Sequence, residues 1–248
     1  MGFGISITIL TLAWITANHI FGNGLVPSLS GTMACLMRLA LTPDFWAHIS
    51  ITLFRGIVAL SITTLLALAT GIPAGRNPKI MDMIMPLAAI LQTTPPPILW
   101  ITLVMVWAGT GTLLPVLVVT ASLFPPLFIS TATAAAHLDR RLFDLAQIYQ
   151  IKKWVMIKDL ILPGIFPHFL AGFSYALGSC LKITAVAEFL GADQGMGARV
   201  YWAFRMMDME ALFAWALVLI SIGVSMEIFW IRPLRVLSSK KGGQNADP

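Results

Sequence analysis

The chain has 248 residues, 58% of them hydrophobic and only 11% charged, with a mean hydropathy of +0.84. A soluble domain carries about 25% charge, so this composition excludes a water-soluble fold and places the chain in a bilayer. The formal net charge of +5 then describes how basic residues are spread across a membrane, and nothing in it points to nucleic acid.

A membrane span must satisfy its backbone hydrogen bonds internally, which takes a helix of about 20 apolar residues. Six runs qualify, near 4–20, 49–72, 80–107, 112–136, 161–187 and 211–231. The alternating ten-residue segments of a membrane β-barrel are missing. The expected fold class is all-α: one polytopic membrane domain over 1–248 with about six spans.

The first run lacks a basic start and a small-x-small cleavage pattern, so it reads as a retained span and not as a signal peptide. Leu25–Leu41 is apolar but interrupted by Arg38, which predicts a helix lying in the outer interface. The second run opens with Thr52-Leu53-Phe54-Arg55 and closes on Gly71-Ile72-Pro73-Ala74-Gly75-Arg76-Asn77-Pro78, whose glycines and prolines predict a cytoplasmic turn. In the third run, Thr93-Thr94-Pro95-Pro96-Pro97 cannot continue a regular helix, because proline lacks the amide hydrogen and clashes with earlier carbonyls. Such breaks survive in hydrocarbon only beside protein or water, so Thr93 and Thr94 are candidates for a translocation path, and Pro95 for gating or structure. A plain kink with back-bonded hydroxyls is the alternative.

Between the fourth and fifth runs, Arg140, Asp144 and Gln147 share one helical face, and Leu145, Ile148, Tyr149 and Trp154 give apolar ground elsewhere. Leu162-Pro163 is expected to end this segment. The fifth run carries Lys182, which costs about 2.5–3.5 kcal/mol at mid-bilayer and is therefore expected to face protein or water. Ser179 lies one turn away on the same face. Glu188 follows Lys182 by about 600° of helix, so the two do not pair directly. Its sign suits a gating or structural role, with Arg199 or Arg205 as expected partner. Gly191–Gly197 reads as a flexible outer turn, and the clusters Met81/Met83/Met85 and Met206/Met207/Met209 as packing.

Basic residues set the orientation. Eleven of the sixteen fall on one side if both termini are cytoplasmic, against Arg38, Arg55, Arg199 and Arg205 outside and Lys182 within a span. Cys35 and Cys180 lack metal-ligand spacing and are expected to form neither disulfide nor zinc site. No GxxxxGK[ST] loop, HExxH or nucleophile elbow occurs, and His19, His48, His137 and His168 stand singly.

The order of these pieces resembles the permease subunit of a type I ABC importer, in the nitrate/sulfonate/taurine/bicarbonate group, over residues 27–237. The residues that carry it are Asp144-Leu145-Ala146 through Gln150 at the family's E-x-A-x-x-x-G position, Leu162-Pro163, and Ala187-Glu188. Thr52–Arg55, Gly71–Gly75, Trp107-Ala108-Gly109 and Gly195-Met196-Gly197 add to the match. Aspartate replaces the usual glutamate at 144. Gln150 stands at the glycine, which predicts a more continuous helix there.

The resemblance implies a coupling helix over 139–158, with Asp144, Ala146, Gln147 and Gln150 contacting ATPase subunits. It also implies a second permease copy, a periplasmic or lipid-anchored binding protein, membrane lipid around the spans, and a bacterial inner-membrane location with a cytoplasmic tail at 232–248. The chain is then no enzyme and holds no cofactor, the partner ATPase binding ATP and magnesium. Its cargo would be a small anion of the nitrate, sulfonate or bicarbonate kind, which Lys182 and Ser179 suit. An organic nutrient such as a vitamin precursor, an ATPase-independent carrier and a membrane-embedded enzyme are the competing readings. Inverted repeats would mark the carrier, and clustered His, Asp or Glu within the spans the enzyme.

Overall fold

The computed structural model describes residues 2–22, 24–93, 102–107, 109, 111–138, 141, 148–150 and 152–234. Among these every regular element is helical: α1 (Gly2–Phe21), α2 (Leu29–Ala40), α3 (Pro43–Arg76), α4 (Pro78–Thr93), α5 (Leu113–Ala136), α6 (Leu162–Gly191), α7 (Met196–Arg205) and α8 (Met209–Met226). Helical residues also occupy 102–107 and Lys153–Met156. Among the described residues, α3, α5, α6 and Met209–Leu234 are long and apolar enough to cross a membrane.

The core is the α3–α5–α6 packing. Ala59 and Leu60 of α3, Val116, Val119 and Leu123 of α5, and Ala176 and Cys180 of α6 meet in one buried cluster. Lipid is as apolar as these side chains, so close backbone approach and hydrogen bonds must hold the helices together. Four buried hydroxyls bond within their own helices: Thr63 donates to the Ala59 carbonyl, Thr131 to Leu127, Ser174 to Leu170 and Thr184 to Cys180, at 2.7–2.8 Å, while Ser130 of α5 donates across to the His168 carbonyl of α6 at 2.9 Å.

The expected turn at 71–78 is corrected by this packing. α3 runs on through Gly71, Pro73 and Gly75 to Arg76, and the chain turns only at Asn77. A Cβ at Gly71 would sit 2.8 Å from Thr131 Cβ, and one at Gly75 would sit 2.8 Å from Ala135 Cβ. These glycines let α3 touch α5; they do not break it.

α4 folds back along the same end through Ala74, Ala88, Phe128 and Ala132. The segment that follows, including Thr94 and Pro95–Pro97, lies outside the described residues. At the other end α7 is a short lid joined to α3, α6 and α8 through Phe45, Leu181, Met196, Trp215 and Val218. α2 is the expected short apolar helix, with Ser28 capping the Gly31 amide at 3.1 Å. α1 leans on α8 by Trp14 against Phe213, ring centres 5.1 Å apart.

Leu162-Pro163 does not end the segment before α6. Lys153–Met156 leads into a wide π turn, Ile157–Ile161, and directly into α6. A second π turn, Glu227–Ile231, follows α8. Each ends two residues before a proline, Pro163 and Pro233. Proline removes the bond to the carbonyl four residues back, which in both cases lies inside the π turn, so the wider turn sits where the regular ladder is already broken.

Candidate functional site

The end of the bundle where α3 begins and α6 stops holds a buried ionic network. Glu188 of α6 is 0% exposed and Arg55 of α3 is 2% exposed. Arg55 Nη1 donates to Glu188 Oε1 at 2.8 Å and to the Gln194 carbonyl at 2.6 Å, and Nη2 to Thr112 Oγ1 at 3.3 Å. Glu188 Oε2 accepts from Thr52 Oγ1 at 2.7 Å and from the Gly197 amide at 3.1 Å. Thr52 Oγ1 in turn accepts from the Met196 amide at 2.8 Å. A buried charge pair is kept by hydrogen bonds to its remaining lone pairs and protons, and here two helices and the start of a third supply them to all but Arg55 Nε, which is buried with no hydrogen-bond partner among the described residues.

The expected partners of Glu188, Arg199 and Arg205, are therefore corrected. Arg199 Nε lies 2.7 Å from His48 Nε2, and the Gly195 amide 3.0 Å from His48 Nδ1; a neutral imidazole accepts at only one of its nitrogens at a time. Arg205 meets the Tyr201 hydroxyl at 3.2 Å. Nor does His48 stand singly: it is buried in this network, while His137 and His168 stack with ring centres 6.3 Å apart. The Gly191–Gly197 stretch is fastened by three amides, those of Gly195, Met196 and Gly197, and is not a loose turn. Gly195 has φ +111, and a side chain there would strike the Glu188 carboxylate.

The sequence offered a signal for this network. Thr52 and Arg55 lie one turn apart toward the start of one span, and Glu188 lies near the end of another. Opposite charges at matched depth in two apolar helices are natural partners. Counting Arg55 with the exposed outer basic residues hid the pairing.

Lys182 is exposed along the side of α6 that also shows Tyr175, Val186 and Leu190. It lines a cavity of about 510 Å³ between α6 and α8, whose walls are apolar except for Lys182 and Glu227. Ser179 is half-buried and is not among the residues lining it. Thr93 closes α4.

Asp144, Ala146 and Gln147 lie outside the described residues. Gln150 is described, and it overturns the expectation of a continuous helix: its φ is +51 within a turn that precedes Lys153–Met156. The backbone keeps a left-handed step at a residue other than glycine, at a cost of about 1–2 kcal/mol. Gln150→Gly is expected to slow amide exchange at residues 148–150, and Gln150→Val to accelerate it by about tenfold, because a β-branched residue tolerates this region least. Equal exchange in all three proteins would show that the turn carries no strain.

With this geometry in place, the comparisons with known proteins are informative. Residues 66–231 match the family described as binding-protein-dependent transport system inner membrane component. The chain is 26% identical over 187 residues to SsuC of Bacillus subtilis, named for aliphatic sulfonates transport, covering 75% of this chain and 67% of that one. It is 23% identical over 234 residues to the taurine transport system permease protein TauC of Escherichia coli, covering 92% and 85%. Similarity of 26% over 183 residues extends to the formylaminopyrimidine transport permease protein ThiX of Halalkalibacterium halodurans, covering 73% and 72%.

Proposed function

The chain belongs to the binding-protein-dependent transport system inner membrane component family, and from there we propose that two copies of it line the substrate path of an ATP-driven importer. It is a membrane-embedded ABC permease component. In the proposed assembly, ATPase subunits sit on the cytoplasmic side and supply ATP chemistry, and a binding protein delivers cargo from outside. Eleven of sixteen basic residues on one side support cytoplasmic termini in an inner membrane.

The observation that carries the coupling role is the left-handed step at Gln150, in the position where the family motif calls for glycine. A turn is retained there although the residue that favours it is gone, as a docking surface of fixed shape would require. Asp144, Ala146 and Gln147, just before it, are proposed as the ATPase contact. Ala146→Arg is expected to abolish co-purification with the ATPase while membrane insertion stays intact. Wild-type assembly and uptake in that variant would remove the assignment.

For cargo, we propose a small solute carrying an anionic group. Support comes from Lys182 on the α6 groove and from relatives named for sulfonates and taurine. A vitamin precursor is the second reading, favoured by the relative named for formylaminopyrimidine. Thr93 and Thr94 remain proposed path residues. The Arg55–Glu188 pair is proposed as the outer fastening against which the path opens.

A further inference from the structure

His48 is buried near the start of α3, with a hydrogen-bond donor on each of its two ring nitrogens. The Gly195 amide lies 3.0 Å from Nδ1, and Arg199 Nε lies 2.7 Å from Nε2. A neutral imidazole has one ring nitrogen free to accept, and a protonated one has none. One of the two donors is therefore already unserved, and a single added proton takes the acceptor away from the other.

The groups around the ring supply a second arrangement. Asp44 stands one turn before His48 on α3 and forms no ion pair among the described residues. Asp44, His48, Arg199 and Trp202 together line two cavities of about 370 Å³ each, joined by Asp193 and Gln194 on one side and by Asp208 on the other. Asp208 is engaged in capping the Ala211 amide at 3.0 Å. From α8 the Trp215 ring meets His48 edge-on, with ring centres 6.2 Å apart. Deeper along α3 and α6, Arg55 and Glu188 neutralise each other.

From this arrangement we infer that His48 is a proton-operated latch on α7: the neutral ring holds Gly195 or Arg199, and the protonated ring releases both and turns to Asp44. A positive ring opposes the Arg199 guanidinium and is drawn to the Asp44 carboxylate four residues back on the same helix. What then remains at the start of α7 is the Met196 amide on Thr52 and the Gly197 amide on Glu188, so α7 is loosened and not lost. The latched state needs the neutral ring, so the latch is closed above the range in which imidazole titrates and opens as the pH falls through it. Every group in the latch belongs to this chain, and it stands or falls apart from the permease reading.

The test is hydrogen exchange in the full-length chain in nanodiscs between about pH 8 and pH 5, read at residues 195–201, normalised to the intrinsic rate at each pH, with α5 as internal reference. Protection at 195–201 is expected to fall by about tenfold across this range, the worth of one hydrogen bond, while α5 stays unchanged. His48→Asn keeps an acceptor near the place of Nδ1 and His48→Gln near that of Nε2; neither titrates, so both should give a flat profile, which also separates His48 from the other three histidines. Asp44→Asn should move the change to lower pH, because it removes a charge that favours the protonated ring. Arg199→Gln should move it to higher pH, because it removes a charge that opposes that ring, each shift being about half a unit or more. Opposite shifts from two neighbours are something a purely structural role for His48 does not give. A flat profile in the unmodified chain, an undiminished change in both His48 variants, or shifts from Asp44→Asn and Arg199→Gln that are absent or in one direction would overturn the inference. If neither His48 variant folds, the profile of the unmodified chain and the two charge variants decide.

Discussion

Arg55→Ala is expected to destabilise the protein by about 3–5 kcal/mol, because it strands a carboxylate that has no access to water. Glu188 is fully buried, and what remains to it, the Thr52 hydroxyl and the Gly197 amide, is neutral. The same change releases the Gln194 carbonyl and Thr112, so the first half of α3, the end of α6 and the start of α7 loosen together. Thermal unfolding in nanodiscs should register a fall of roughly 6–20 °C. Arg55→Met combined with Glu188→Leu should recover most of it, since removing both charges leaves neither unpaired. A single Arg55→Ala variant as stable as the wild type would mean that the pair carries no structural weight.

Gly197→Val should be nearly as severe. The α7 helix starts so close to α6 that a Cβ at 197 would overlap the Ala185 carbonyl oxygen and lie 2.8 Å from Glu188 Cβ and 2.9 Å from the Phe189 amide nitrogen. Backbone atoms cannot swing aside as a side-chain tip can, so α7 must move out, and the Gly197 amide then leaves the Glu188 carboxylate. Overpacking together with a lost charge-assisted hydrogen bond is worth roughly 3 kcal/mol or more. Gly24→Ala is the control: nothing lies within 4 Å of its added Cβ, and the change should stay within about 0.5 kcal/mol. Similar unfolding midpoints for the two variants would contradict the close approach of α6 and α7.

The helices were legible because hydrocarbon demands long apolar runs, and periodicity reports them directly. The family resemblance was legible for a related reason, since it rests on the order of motifs along the chain. What escaped was set by contacts between distant segments. Gly71 and Gly75 read as punctuation, because in water glycine and proline mark turns; in a bilayer they mark where α5 approaches. Arg55 and Glu188 are separated by 133 positions, and no local pattern joins them. Gln150 misled in the opposite direction, because a left-handed residue imposed by its surroundings leaves no trace in its own side chain. Lys182 was noticed for its cost in hydrocarbon, but Glu227 was not, because it falls at the end of a span where a charge is ordinary.

The π turn at Ile157–Ile161 also sets a rotational phase. In a regular helix each residue advances the side chains by about 100°; a turn that closes on the fifth residue instead of the fourth takes up one residue without a matching advance. The faces presented by Trp154–Met156 before the turn and by Tyr175, Lys182 and Val186 after it are therefore offset by about one residue's rotation from where an unbroken helix would put them. Pro163 and the π turn before it hold that offset where α6 begins. The two ends of one continuous rod are thereby set at a fixed angle to each other, so a side chain before the turn and one on the groove keep a constant relative heading.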